Sequence, residues 1–426
     1  MHLLYSTLLA VAMIATLPYW LWQMVQKGKY RTGLRERFGH VPARLIVHEG
    51  CPTIWVHAVS VGEVIAVTPL VERLNGQFPG HDVVISTVTD SGQRLARSRF
   101  GGERVFYLPL DFEFAIRPYL KQLQPKLVII AETELWPNFL RLARKSGARI
   151  AVVNARISDR SIRGYLRVRP LLRNVLSNAD LFLTQTWEDR KRLVEIGALD
   201  ERVKVTGNLK FDAPLPAEPP IVASLRSALT KDGAGPVLVC GSTVEGEEPL
   251  LLRAFENVRA SLPRALLILA PRHPERFAEV AQLLEQLDVP FRRRSLWNGE
   301  TLGGGVFLLD SIGELAALYG LADIAFVGGS LVPRGGHNIL EPAQHGAAIV
   351  VGNHTENFRD IIWMFQQNDA VRIVGPAELP LVFMELVSND PERIALGKRA
   401  AETLKEQTGA TSRTLEALSE LMRLSS

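Results

Sequence analysis

Asp212-Ala-Pro-Leu-Pro-Ala-Glu-Pro-Pro220 divides this chain. Its four prolines can continue neither a helix nor a central strand, and they suit a stiff linker. Before it, short β-branched runs alternate with amphipathic stretches, at 53–59, 82–87, 104–108, 126–131, 149–154, 180–184 and 203–206. After it, runs at 236–240, 265–270, 306–309, 323–327 and 347–351 repeat the rhythm, each followed by a Gly/Pro-rich turn. Strands separated by helical patterns imply a parallel sheet, so the expectation is an α/β chain of two doubly wound domains. Their first units echo one another: a strand, Ser60-Val-Gly-Glu63 and a helix, then a strand, Gly241-Ser-Thr-Val-Glu-Gly-Glu247 and a helix. Open parallel sheets bind ligands beyond the carboxyl ends of their strands, which points to a site in a cleft between the halves. The expected boundaries are 1–26, 27–212, the linker 213–220, 221–390, and helices over 391–426.

Length and composition agree with two domains. The chain has 426 residues, 47% hydrophobic and 22% charged, a globular balance. A net charge of +4, with the arginines scattered, favours acidic small molecules or a membrane surface over nucleic acid. Cys51 and Cys240 stand far apart with no CxxC pair, so neither a disulfide framework nor a zinc ribbon is written here. No GxGxxG follows a first strand and no GxxxxGK[ST] occurs, which argues against a plain NAD enzyme or ATPase.

From Leu3 to Gln26 there is no charged residue, and the run is long enough to cross a hydrocarbon layer of roughly 30 Å. Lys27, Lys29, Arg31, Arg35 and Arg37 follow it, which places the rest of the chain on the cytoplasmic side and fits an anchor rather than a cleaved signal. Pro18 could kink the helix and leave it interfacial, so spanning and monotopic readings both stand. The basic residues serve topology, or contact lipid phosphates, or both.

Residues just after strands carry the candidate chemistry. Glu63 falls in the first turn of a helix, where the dipole steadies a carboxylate; it is either a helix-start acid or a base ionised at pH 7. His57, inside the strand, reads as a core histidine. Glu132-Thr-Glu-Leu-Trp-Pro-Asn138 puts two carboxylates after a very apolar strand, although one could merely cap the helix that Pro137 begins. Lys210, beside the linker, either meets a developing negative charge or is simply solvated. In the second half Arg272 and His273 suit a phosphate. Arg334-Gly-Gly-His-Asn-Ile-Leu-Glu-Pro342 offers backbone N–H groups to an anion, with Glu341 suited to ribose hydroxyls. Asp310-Ser-Ile-Gly-Glu314 adds a loop whose backbone could grip a base.

Five segments together resemble the membrane-anchored Kdo transferases, which attach 3-deoxy-D-manno-oct-2-ulosonic acid (Kdo) from CMP-Kdo to a lipid A precursor. They are Ser60-Val-Gly-Glu63, Glu132-Thr-Glu-Leu-Trp-Pro137, Gly207-Asn-Leu-Lys-Phe-Asp212, Pro271-Arg-His-Pro-Glu-Arg-Phe277 and Gly328-Gly-Ser-Leu-Val-Pro-Arg-Gly-Gly-His-Asn-Ile-Leu-Glu341. The resemblance implies a GT-B glycosyltransferase with two Rossmann-like domains, the first binding the lipid IVA acceptor and the second CMP-Kdo. It also implies an inverting, metal-free mechanism without a cofactor, at the cytoplasmic face of the inner membrane. Carried over, Glu63 is the catalytic base, and Glu132 and Lys210 stabilise the transition state. The CMP contacts are Arg272, His273, Ile312, Gly313, Glu314, Asn338, Ile339, Leu340 and Glu341. Asn208, where Ser is also common, and Ile339 depart slightly from the family pattern. A UDP-sugar enzyme of the same fold, or a catalytically silent membrane tether, are the rival readings.

Overall fold

The computed structural model describes residues 2–27, 32–45, 48, 50–215 and 217–423. Lys29, Arg31 and Pro216, and the side chains of Leu3, Leu21, Val25, Lys27 and Arg160, lie outside the described residues. Two compact units form, Met1–Ala213 with Gln407–Ser426, and Pro214–Glu406.

In the first unit seven parallel strands form one sheet: β1 (Thr53–His57), β2 (Asp82–Thr87), β3 (Val105–Tyr107), β4 (Pro125–Ala131), β5 (Arg149–Ala155), β6 (Leu181–Thr184) and β7 (Val203–Val205), in the order β3-β2-β1-β4-β5-β6-β7. Helices cover both faces. Those used below are α1 (His2–Lys27), α2 (Val61–Gln77), α3 (Pro137–Lys145), α4 (Asp159–Arg167) and α5 (Arg169–Leu176). Side chains alternate across β1, Trp55 packing with Val128 and Phe139 on one face, Ile54 and Val56 with Val67 and Leu127 on the other. Burial on both faces is why these strands read as unbroken apolar runs. The strand order reverses between β1 and β4, so the loops after these two strands flank a switch point, the usual ligand position.

The second unit repeats the plan with β8 (Val237–Thr243), β9 (Leu266–Pro271), β10 (Phe291–Arg293), β11 (Val306–Leu308), β12 (Ile324–Val327), β13 (Ala348–Gly352) and β14 (Arg372–Val374). The order β10-β11-β9-β8-β12-β13-β14 puts its switch point between β8 and β12. Pro220 opens a helix, Pro220–Asp232, where its missing N–H costs nothing. Helix α6 (Glu248–Ser261) follows β8 and α7 (Asp390–Glu406) ends the unit. The last helix, α8 (Ala410–Arg423), belongs to the first unit. Its Leu415, Leu418 and Leu421 join the cluster of Ile54 and Val56, and the Asp212 carboxylate accepts N–H bonds from Gly409 and Thr411.

The amino-terminal segment corrects an expectation. Residues 2–27 form one helix, yet among the described residues no helix is long and apolar enough to cross a membrane. Its first two turns are spent on the protein. Asn138 Nδ2 donates to Ser6 Oγ at 3.0 Å, and Tyr5 bonds the Asp111 carboxyl. Beyond them lies the stretch from Leu8 to Trp22. Within it Leu8, Val11, Ile14, Leu17, Tyr19 and Trp22 are exposed.

Candidate active site

Helix α2 starts directly beyond β1, and Glu63 in its first turn folds back over the junction. Val59 N donates to Glu63 Oε2 at 2.7 Å and Ser60 Oγ to Oε1 at 3.0 Å. The side chain is therefore a helix-start acid in geometry, but its electrostatics go further. Burial pushes its carboxyl up to about 7, opposed by the Val59 N–H and the Ser60 hydroxyl and reinforced by the charges of Glu132 and Glu134. The expectation that it is simply ionised at pH 7 is corrected: desolvation leaves it poised between its two forms.

Glu132, the first residue after β4, has φ +55° and is tied by its N–H to Val153 O at 2.9 Å. Its Oε1 lies 3.2 Å from Lys210 Nζ, in a pair partly open to solvent. Lys210 is thus paired with Glu132. Burial, then the charge of Glu132, raises Glu134. Neither glutamate caps α3. That place is taken by Asp111, whose carboxylate accepts from Asn138 N at 3.1 Å and Phe139 N at 2.7 Å. Asn154, fully buried with φ +55°, sets Lys210 from below: its Oδ1 accepts from Leu209 N at 3.0 Å. In the sequence Asn154 is only the last residue of the run 149–154; a polar Asn ending an apolar run, where the chain turns left-handed, was the available signal. His57 is a core residue, neutral, its pKa lowered to about 4 by burial, with Nδ1 2.9 Å from Ser86 Oγ.

In the second unit, Arg272 and His273 follow β9 and are exposed, while Arg272 N is held by Thr243 O at 2.9 Å. Their charges reach His337, which burial followed by these two neighbours lowers to about 4, and Arg272 also acts on Glu341. Burial raises Glu341, whereas Asn338 Nδ2, 3.4 Å from its Oε1, and then Arg272 pull it back. The loops after β9 and β12 therefore place Arg272, His273, His337, Asn338 and Glu341 within one electrostatic neighbourhood. Ile339 and Leu340 are buried as whole residues. Ile312 is exposed and Gly313 turns the chain with φ +90°. Glu314 is engaged internally: burial would raise it, but Arg294, at 2.8 and 3.0 Å, and Ser311 hold it below the usual range.

One carboxylate missed in the sequence organises this half. Glu247, with no exposed surface, accepts from Val244 N at 3.0 Å, Gly329 N at 2.8 Å, and Ser330 and Leu331 N at 2.9 Å each. It ties the loop after β8 to the loop after β12. Gly336 N then bonds Gly329 O at 2.7 Å, linking this clamp to the turn that carries Asn338 and Glu341. A side chain at Gly328 would stand 2.5 Å from Ser242 O, and one at Gly329 2.8 Å from His337 Nε2, so both glycines permit the close approach. The echo of Glu63 by Glu247 was the signal.

Two parallel sheets with chemistry-bearing loops at their switch points are an α/β arrangement like that of GT-B glycosyltransferases. A glycosyltransferase from Rickettsia africae superposes with TM-score 0.56 at 14% identity, covering 88% of this chain and 99% of that one. A UDP-N-acetylglucosamine 2-epimerase from Listeria monocytogenes gives 0.55 at 13%, covering 83% and 94%. Such identities show the fold alone. The family model for 3-deoxy-D-manno-octulosonic-acid transferase (kdotransferase) matches residues 32–213. The 3-deoxy-D-manno-octulosonic acid transferase of Haemophilus influenzae is 37% identical over 402 residues, 92% of each chain, and that of Bordetella pertussis 36% over 414, 94% of each. The chain belongs to this family and is a Kdo glycosyltransferase.

Proposed function

We propose that this transferase moves Kdo from CMP-Kdo to a lipid A precursor, lipid IVA, in lipopolysaccharide core biosynthesis, with inversion at the anomeric carbon. The observation that carries the reading is the buried Glu63 carboxyl at the first switch point, raised to about 7. A general base works best when its pKa lies near the working pH. Glu63 takes the proton of the acceptor's 6′-hydroxyl as that oxygen attacks the anomeric carbon of Kdo, and CMP leaves from the opposite face carrying the bonding electron pair. Glu132 and Lys210 stabilise the transition state as a pair. Arg272 and His273 offer cationic donors to the departing phosphate, Glu341 accepts from ribose hydroxyls, and the Ile312-Gly313-Glu314 backbone holds the base. The reaction as written calls for no metal and no cofactor.

An acceptor that hardly leaves the bilayer brings the enzyme to the membrane. The exposed apolar side chains of α1 support a monotopic helix lying in the cytoplasmic interface of the inner membrane, with the exposed Arg35 near its anionic surface, while Arg37 is held within the protein against Val88 O and the Tyr107 ring. The decisive experiment is product mass after incubation with CMP-Kdo and tetra-acylated acceptor. Addition of one or more Kdo masses is expected; no transfer, or donor binding by UDP in calorimetry in place of CMP, refutes the reading.

A further inference from the structure

The elbow joining α4 and α5 matches none of the roles assigned so far. Between Arg163 and Arg173 lie four arginines, Arg163, Arg167, Arg169 and Arg173, all exposed, and among the described residues none of them meets a carboxylate. Interleaved with them, Leu166, Val168 and Leu171 are 44%, 42% and 52% exposed. The opposite face is satisfied, since Ile162, Tyr165, Leu172, Val175 and Leu176 pack against the core of the first unit. Unpaired cations around protruding aliphatic side chains have no stabilising partner within the chain. They match a surface that is negative outside and apolar just beneath. Nucleic acid would satisfy the arginines and leave the aliphatic tips in water.

The position of the elbow strengthens this. Helix α4 leaves the carboxyl end of β5, and Tyr165 on it lies within reach of the Glu134 charge, beside the catalytic loop. Helix α1 reaches the same rim. His2 feels Arg141 and Lys145 on the later turns of α3, whereas Tyr5 and Ser6 bond Asp111 and Asn138 at its start. The first turns of α1 therefore run antiparallel to α3.

We propose that the α4–α5 elbow is a second membrane contact of this enzyme, in which Arg163, Arg167, Arg169 and Arg173 bind phosphates of anionic lipids while Leu166, Val168 and Leu171 enter the acyl boundary. With α1 it seats the rim of the first unit on the bilayer, where a lipid-borne acceptor presents its hydroxyl. The inference deepens the reading of a membrane-borne acceptor and rests on it for its purpose, but the binding itself needs no Kdo chemistry.

The test is flotation of the full chain with vesicles of phosphatidylglycerol and phosphatidylcholine, against phosphatidylcholine alone, over a salt series. Each arginine near an anionic surface is worth about fivefold in partitioning. The double variant R167Q/R169Q should bind anionic vesicles about twentyfold more weakly, with a shallower salt dependence. Its melting temperature and its turnover on detergent-dispersed acceptor should equal those of the parent. V168S/L171S should weaken binding to both vesicle types. Unchanged flotation of R167Q/R169Q, or an equal loss on neutral and anionic vesicles, overturns the proposal. Failure of the parent to turn over dispersed acceptor counts against the Kdo reaction alone, because flotation is scored without it.

Discussion

Glu63 and Glu247 occupy corresponding places in the two units, each in the loop or first helical turn after the strand at the switch point, and each is buried. Their partners differ. Glu247 accepts four backbone N–H bonds, three of them from residues 82 to 84 positions away, and every lone pair facing the protein is used. Glu63 accepts two bonds from its own turn and faces the charges of two other glutamates. Burial raises both carboxyls, but at Glu247 four backbone donors oppose it, whereas at Glu63 two donors oppose it and the charges of Glu132 and Glu134 add to it. The same local pattern thus builds a clamp in one half and a proton acceptor in the other. What separates them is the number of donors supplied by distant chain.

The largest effect that could break this comparison is on turnover. Glu63→Gln keeps the shape and removes the base, so kcat should fall about a hundredfold to ten-thousandfold while CMP affinity and melting temperature hold. Near parental turnover in steady-state assays would strike Glu63 from the mechanism. Glu247→Gln should show the reverse profile. An amide nitrogen facing N–H donors leaves a buried group unsatisfied at about 1–3 kcal/mol, lowering the melting temperature and weakening CMP binding while acceptor KM stays put. Calorimetry with CMP and a thermal scan read both, and an intact donor site in this variant would remove the clamp role.

A smaller change is expected for Arg272→Ala. The guanidinium is exposed and among the described residues makes no ion pair, so stability should hold while donor KM rises about tenfold or more, the scale of a charge-assisted bond. An unaltered donor KM would free Arg272 from the phosphate. A further effect is in the pH dependence of stability. Because the native Glu63 carboxyl sits near 7 against 4.5 for the ordinary group, the native state holds a proton that the unfolded chain releases. Its contribution is complete below about 4.5 and gone once the pH passes about 7. Urea midpoints should therefore decline between these values in the parent and decline less in Glu63→Gln. Activity runs the other way, kcat/KM rising through about 7 as the base ionises. Parallel stability curves for the two proteins would contradict the raised carboxyl.

Most of the sheet was legible because its signals are local. Asp82–Thr87 stands where the β-branched run put it, and the other central strands differ from their sequence runs by a few residues at most. Phe291–Arg293 and Arg372–Val374 escaped notice. Each is a three-residue edge strand whose apolar run is broken by arginine, and each pairs on one side only. The site was partly legible for the same reason. Strand-end loops holding Glu63, Glu132, Arg272 and Asn338 stand out as polar breaks, whereas Asp111 capping α3 and Asn154 bracing Lys210 act across 27 and 55 positions of sequence. The expected spanning anchor is not found: the helix is there, but among the described residues none is long and apolar enough to cross a membrane, and Asp111 and Asn138 engage its first turns.

Taken alone, the order of residues determined two parallel α/β units, the positions of their reactive loops and, through five shared segments, membership of the Kdo transferases. Tertiary structure alone decided that Glu63 hovers near neutrality, that Glu247 is a clamp, and that α8 rejoins the first unit. Periodicity and turn chemistry are written within a few residues, whereas desolvation, charge coupling and the count of hydrogen-bond donors are sums over neighbours that only the folded chain brings together.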